Sequence, residues 1–362
     1  MHLSKQTLLG FLDGDDPDIY LRQTNHPSYL HSTEMAHLYV HAAMLVTCME
    51  FLSEQLWLQN KDDRESGVTT SYHDFLAPLL EKEISSAYPL KDFLLESGPT
   101  QLKAIKKGTS TIAADVLGEM MCRSRGEQKT FLIKALEEMS VHFLYEEELQ
   151  EGRLQSLGHL GPCLYRCFDD LDKVFELTYQ LDRDMEREHF PKERLYQGSG
   201  VFVQSGYSTI LLALQHLDLK DGSKVVDLGS GYGRVGLVCA LLYPEVDFVG
   251  YEYVPHRVDV SNRAAQFLKL DKELHFLTQD LSLASFKVPD ADVYYLYDPF
   301  TKETYEYVLE QLVEVSKRQQ VTIVTKGNAR NWLLDIAEDN DWPAPTFFDE
   351  GNLSVFTSAP SV

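Results

Sequence analysis

The stretch that most constrains this chain is Val225-Val-Asp227-Leu-Gly229-Ser-Gly231-Tyr-Gly233-Arg-Val-Gly236. It is an apolar run that meets closely spaced glycines and passes straight into helix-forming sequence. Such glycines let a chain leave a strand, turn tightly and bring bare backbone close to a ligand. The first N–H groups of the following helix then point at whatever lies over the turn. A dinucleotide fingerprint, G-x-G-x-x-G, would need glycine at 234, where the chain has Arg234. A phosphate-binding P-loop fails as well, because no Gly-Lys-Ser/Thr closes the turn. The spacing G-x-G-x-G leaves two readings: a loop that holds another kind of ligand, or a tight strand-to-helix turn and nothing more.

The 362 residues predict two or three domains, and their grammar changes once. Up to about residue 190 apolar side chains recur at three- and four-residue spacing, with helix formers between them. Helices are expected at 33–59, 71–96, 100–123, 126–156 and 161–189, with Ser32, Thr33, Gly158 and Gly161-Pro162 as caps and stops. After Tyr196-Gln-Gly-Ser-Gly200, short β-rich runs alternate with helical stretches, the pattern of a parallel sheet wound by crossover helices. The expected strands are Lys224 to Leu228, Asp247 to Glu252, Leu274 to Thr278, Asp292 to Tyr297 and Val321 to Thr325. An antiparallel hairpin, Thr346 to Phe348 with Leu353 to Thr357, is expected at the edge. The domains are read as 1–195, a helical lid or a substrate- or partner-recognition domain, and 196–362, an α/β domain that carries the loop.

With Asp227 two residues ahead of its first glycine, the loop resembles the first motif of class I S-adenosylmethionine-dependent methyltransferases. That resemblance implies a Rossmann-like, seven-stranded core and S-adenosylmethionine as cofactor. The loop residues Gly229, Ser230, Gly231 and Gly233 would cradle its methionine part. Glu252, at the end of the next strand and followed by Tyr253, would take the ribose hydroxyls, as carboxylates do in other nucleotide-binding α/β folds. Asp280 and Leu281, after the third strand, would meet the adenine amino group and ring. Upstream, Phe202-Val-Gln-Ser-Gly206-Tyr207 resembles the segment that closes over the cofactor, which makes Tyr207 a candidate contact or a packing residue.

The fourth strand runs into Tyr297-Asp298-Pro299-Phe300, the candidate reaction corner. It resembles the Asn/Asp-Pro-Pro-aromatic turn of amino-methylating relatives but has one proline where they have two, and Asp-Pro-aromatic is also ordinary loop punctuation. By that resemblance Asp298 would touch donor and acceptor, orienting an amine or taking its proton, with Tyr297 and Phe300 beside it. The glycine loop and Glu252 also resemble the non-SET histone lysine methyltransferase branch, which carries a helical N-terminal extension. The expected activity is methylation of a lysine-like amine on a protein. A small-molecule methyltransferase and a catalytically silent S-adenosylmethionine-binding scaffold are the alternatives.

Thirty-three basic against 56 acidic side chains give a net charge of −23. A protein or small-molecule acceptor is therefore expected, with no nucleic acid, because such a surface repels phosphate backbones. No membrane partner is expected, since no run approaches the length of a span, and the N-terminus lacks a signal-peptide pattern. Five sparse cysteines suit a reducing, cytoplasmic setting. The sequence leaves the oligomeric state open. His37 and His41 stand four apart with Glu34 one turn earlier, and Glu138 and His142 repeat part of that pattern. No second Glu-x-x-His completes a di-metal set, so these residues are expected to be buried or capping and no metal is expected.

Overall fold

The computed structural model describes residues 30–82, 90–151, 168–183, 204–297, 300–327 and 329–359, with the side chains of 82, 146–151, 183 and 350 left out. The chain divides into two compact units, Met1–Met139 with Leu149–Val174, and Ser140–Glu148 with Phe175–Val362.

The first unit is helical. Helix α1, Ser32–Ser66, opens where the His31 N–H donates to Glu34 Oε2 at 2.7 Å, and it ends at Gly67, whose φ is 71°. Its buried stripe, Met35, Leu38, Ala42, Leu45, Met49 and Leu52, keeps the three- and four-residue rhythm. An 18-residue window of α1 has a mean hydropathy of 1.4, long and apolar enough by composition to cross a membrane; 67% of it is buried inside the protein. The sequence expectation had no such segment. The helices α2, Tyr72–Lys82, and α3, Lys91–Ser97, follow, and then α4, Leu102–Met121, packs extensively along α1. Helix α5, Arg125–Glu151, starts at a reciprocal cap in which Ser124 and Glu127 bond each other's backbone N–H.

The helix expected over 161–189 is not continuous. Residues 161–167 and 184–189 lie outside the described part; between them run a 3-10 turn at Asp169–Lys173 and a four-residue helix α6, Gln180–Arg183. Asp169, Asp170 and Asp172 favour turn conformations over helix interior, and Glu176 takes a left-handed φ of 59°. The span expected over 71–96 likewise divides, with α2 ending at Lys82, α3 starting at Lys91 and 83–89 outside the described residues.

The second unit is a seven-stranded mixed sheet. Helix α7, Tyr207–Gln215, leads into β1, Lys224–Leu228; α8, Arg234–Leu242; β2, Asp247–Glu252; α9, Pro255–Phe267; and β3, Leu274–Thr278. After β4, Val293–Tyr297, come α10, Lys302–Ser316; β5, Thr322–Lys326; α11, Ala329–Asp339; β6, Thr346–Phe348; and β7, Leu353–Thr357. The strand order is β3-β2-β1-β4-β5-β7-β6, parallel through β5, with β7 antiparallel to β5 and β6 antiparallel to β7. This is the Rossmann-like class I methyltransferase architecture expected from the resemblance. The central strands are apolar on both faces, and Val226, Leu228, Tyr294, Leu296 and Ile323 pack against Leu309, Leu312 and Leu333 of α10 and α11. Strand order reverses between β1 and β4, which opens a crevice outside their carboxyl ends.

Candidate functional site

The glycine loop joins β1 to α8 at that crevice. The Gly229 and Ser230 N–H groups both donate to Tyr251 O at 2.9 Å, which fastens the loop to β2, and Gly233 N–H closes the turn on Ser230 O at 2.8 Å. Gly233 has a φ of 77°, and a Cβ there would lie 2.5 Å from Phe276 Cζ, so only glycine fits where the helix begins. At Gly231, with φ 56°, a Cβ would meet Gln204 Nε2 at 2.7 Å.

Glu252 ends β2, buried to 6% exposure. Its Oε2 accepts from Gly231 N–H at 2.8 Å and its Oε1 from Val254 N–H at 3.0 Å. Arg257, on the first turn of α9, brings Nη1 to 3.6 Å from Glu252 Oε1 and binds Asp182 of α6 through Nε at 3.2 Å and Nη2 at 3.1 Å. His256 Nε2 lies 2.7 Å from the same Asp182 carboxylate. One buried guanidinium thus faces two buried carboxylates. A third, Asp227, lies in β1; burial and then the Glu252 charge push its carboxyl well above the usual carboxylate range. Among the described residues Asp227 Oδ2, Ser230 Oγ and Gln204 Nε2 are buried without a hydrogen-bond partner. Three orphaned polar atoms around a bare-backbone turn are what a polar ligand would satisfy.

The other candidates are spread along the same edge. Asp280 is half-buried, its Oδ1 accepting from Ser282 N–H at 2.9 Å and Ser282 Oγ at 2.6 Å. Leu281 is buried in the apolar core, and Tyr253 is half-buried beside Glu252. Tyr207 is fully buried, stacked on Phe175 and lying under the Arg234 guanidinium at 4.6 Å, so its ring packs in the interior. At the reaction corner Tyr297 ends β4 half-buried, with Lys326 Nζ 5.6 Å from its ring centre. Phe300 is 2% exposed and sits edge-on to Tyr305 in the core. Asp298, with Pro299, lies outside the described residues. Asp182, Gln204 and Arg257 were not singled out from the sequence. Gln204 falls in the segment quoted for its resemblance and Arg257 follows Glu252 by five residues, whereas Asp182, 75 residues from Arg257, leaves no local signal.

The fold and this loop define a class I S-adenosylmethionine-dependent methyltransferase domain. Residues 193–321 match the family described as the methyltransferase small domain. Over 55 residues the chain is 38% identical to the ribosomal RNA small subunit methyltransferase G of Porphyromonas gingivalis; the matched stretch is 15% of this chain and 25% of that protein, so only a quarter of the curated relative is spanned. Among solved structures the chain is similar to a precorrin-6y C5,15-methyltransferase from Geobacter metallireducens, at 15% identity and a TM-score of 0.35, covering 44% of this chain and 91% of that one. Another is a TehB-like S-adenosylmethionine-dependent methyltransferase from Corynebacterium glutamicum, at 16% identity and a TM-score of 0.31, covering 42% and 85%.

The match to the ribosomal RNA enzyme corrects the expectation that nucleic acid is excluded as a partner. Net charge is a whole-molecule sum, whereas a phosphate backbone is met by a local surface, so −23 overall does not decide it. The cofactor of the domain is S-adenosylmethionine, and the residues present fit it. Glu252 is a ribose-type carboxylate at the end of β2, and the turn beside it holds the orphaned Ser230 Oγ and Gln204 Nε2. The uncompensated Asp227 suits a cationic ammonium.

Proposed function

We propose that the second unit transfers a methyl group to a nitrogen acceptor held at the carboxyl end of β4. The observation that carries this is the Glu252 carboxylate, buried at the end of β2 and bonded to the Gly231 N–H at 2.8 Å, beside a turn whose polar atoms lack partners. S-adenosylmethionine supplies a methyl on a sulfonium that is ready for in-line displacement. The chain's own work is alignment and exclusion of water. Gly229, Ser230, Gly231 and Gly233 form the cradle, Glu252 and Asp280 hold the nucleoside, and Arg257 holds Glu252. Asp298 would orient the acceptor amine or take its proton, with Tyr297 next to it.

Two acceptor classes each have an observation in their favour. A lysine-like amine on a protein is favoured by the acidic surface and by a groove of about 480 Å³ between α10 and α11. Its floor is Leu309, Val313, Trp332 and Ile336, and its rim carries Glu306, Glu310, Glu314 and Asp335. Glu306 and Glu314 are shared with Lys302 and Lys317, which leaves Glu310 and Asp335 to meet a cationic segment. A nucleic-acid acceptor is favoured by the local identity to the ribosomal RNA enzyme. Incubating the full chain with radiolabelled donor and cell extract, then sorting counts into protein, RNA and low-mass fractions, separates these classes. Donor binding without formation of S-adenosylhomocysteine in any fraction would make the unit a scaffold and overturn methyl transfer. Asp298→Ala is expected to bind donor and lose transfer; full activity in that variant removes Asp298 from the reaction.

A further inference from the structure

The helical unit brings together three groups that the sequence keeps far apart. His37 and His41 lie one turn apart on one face of α1, and Glu138 of α5 reaches both. The contact of His37 Nδ1 with Glu138 Oε1 is 2.5 Å, and that of His41 Nε2 with the same oxygen is 3.0 Å. Glu34, the acid one turn earlier, is occupied at the N-terminus of α1 and takes no part. The third partner thus comes from a different helix, 97 residues away from His41, and spacing along α1 could not reveal it.

We propose that His37, His41 and Glu138 form a binding site for a divalent transition-metal ion of the zinc class, one that clips α1 to α5. Each residue offers one ligand atom, and the three atoms lie within 4.8 Å of one another. Metal–ligand bonds of roughly 2.0–2.2 Å place tetrahedral ligands about 3.3 Å apart, so shifts of under about 1 Å admit an ion. Two imidazoles at i and i+4 present nitrogens on one side of a helix, and the carboxylate completes a three-ligand set with an open position. That set is too nitrogen-rich for calcium or magnesium, which take oxygen ligands, and it has the borderline softness that zinc and its neighbours accept.

Hydrogen bonding alone leaves this cluster incomplete. Both imidazoles converge on Oε1, while Glu138 Oε2 is buried without a hydrogen-bond partner among the described residues. The Glu138 and His41 side chains are 14% and 13% exposed and that of His37 is 30% exposed, so the cluster is shielded yet reachable from its His37 side. The site is separate from the methyl-transfer reading and does not rest on it.

The test uses the full chain, stripped with chelator and titrated with zinc chloride by calorimetry. Uptake of one equivalent is expected, with affinity at least about tenfold lower in His41→Ala and in Glu138→Gln. Cobalt substituted for zinc is expected to give a visible d–d spectrum without a thiolate charge-transfer band, which excludes the five cysteines as ligands. If Glu138→Gln does not fold by circular dichroism, His37→Gln, at the most exposed ligand, takes its place. No zinc uptake by the stripped wild-type chain, wild-type affinity in the folded variants, or a thiolate band would each overturn the site. Donor binding by the second unit is expected to be unchanged in all of these variants, so failure here and failure of methyl transfer read out separately.

Discussion

Each unit buries carboxylates, and it balances them in opposite ways. In the helical unit Glu138 sits between two imidazoles and is drawn down to about 2, against the burial that opposes its charge. In the sheet unit Glu252 and Asp182 share the guanidinium of Arg257, while Asp227 is pushed well above its ordinary value by burial and by Glu252. A buried acid that has basic groups around it marks a cluster able to hold an ion. A buried acid short of them marks one that gains from a cationic ligand. The second unit is therefore electrostatically unfinished where the donor's ammonium and ribose are expected.

Removing the Arg257 guanidinium should break the comparison most severely. Arg257→Leu takes the guanidinium from both buried carboxylates, leaving Asp182 to His256 and Glu252 to two backbone N–H groups, a change that costs on the order of 3–5 kcal/mol. A large fall in melting temperature and loss of donor binding by calorimetry are expected. A variant that melts like wild type would show the network to be dispensable. Next in size is the loop itself. Gly233→Ala would set a Cβ against the Phe276 ring and Ser261 Cβ at a φ of 77°, an overpacking and strain cost of roughly 2–4 kcal/mol. Gly231→Ala meets only the flexible end of Gln204, so it should cost about 1 kcal/mol in stability yet weaken donor binding as much as the larger clash. Equal melting temperatures for the two variants would refute this division of the loop into a packing glycine and a ligand glycine.

Local grammar made the sheet legible and left the clusters hidden. Strands β1, β2 and β3 and the β6–β7 hairpin begin and end where alternation and turn residues place them. Strand β4 starts one residue late, at Val293, although the Asp292 N–H and C=O still bond Lys224 and Thr322 on either side. Strand β5 is shifted by one, since Val321 N–H bonds the Ser358 hydroxyl at 3.0 Å. The loop and Glu252 were readable because both lie within one strand–turn–helix–strand unit. His37 with Glu138, and Asp182 with Arg257, are separated by 101 and 75 residues, and only packing of the elements that carry them brings them together. Apolar periodicity says which face of a helix is inward but not what it will meet there. Phe300, expected beside Asp298 at the reaction corner, meets Tyr305, a contact that periodicity does not foretell.

The smallest effect on stability is the most diagnostic of the difference between the clusters. Because the Asp227 carboxyl is raised in the folded protein, the folded state keeps its proton to a higher pH than the unfolded chain does, whose value is about 3.9. Stability is then highest below that unfolded value, declines as pH rises toward the folded value and stays reduced above it. Asp227→Asn removes the penalty, so the ligand-free variant should melt a few degrees above wild type at pH 7, and the gap should close as pH falls toward 4. The same substitution should weaken donor binding, since the carboxylate that costs stability is the one a cationic ammonium would neutralise. In Glu138→Gln the stability change should have the other sign, a loss at pH 7, because that carboxylate is already held by its neighbours. Melting curves of both variants across this pH range, with and without donor, would decide the matter: if Asp227→Asn is less stable than wild type without ligand at pH 7, the two clusters do not differ as described.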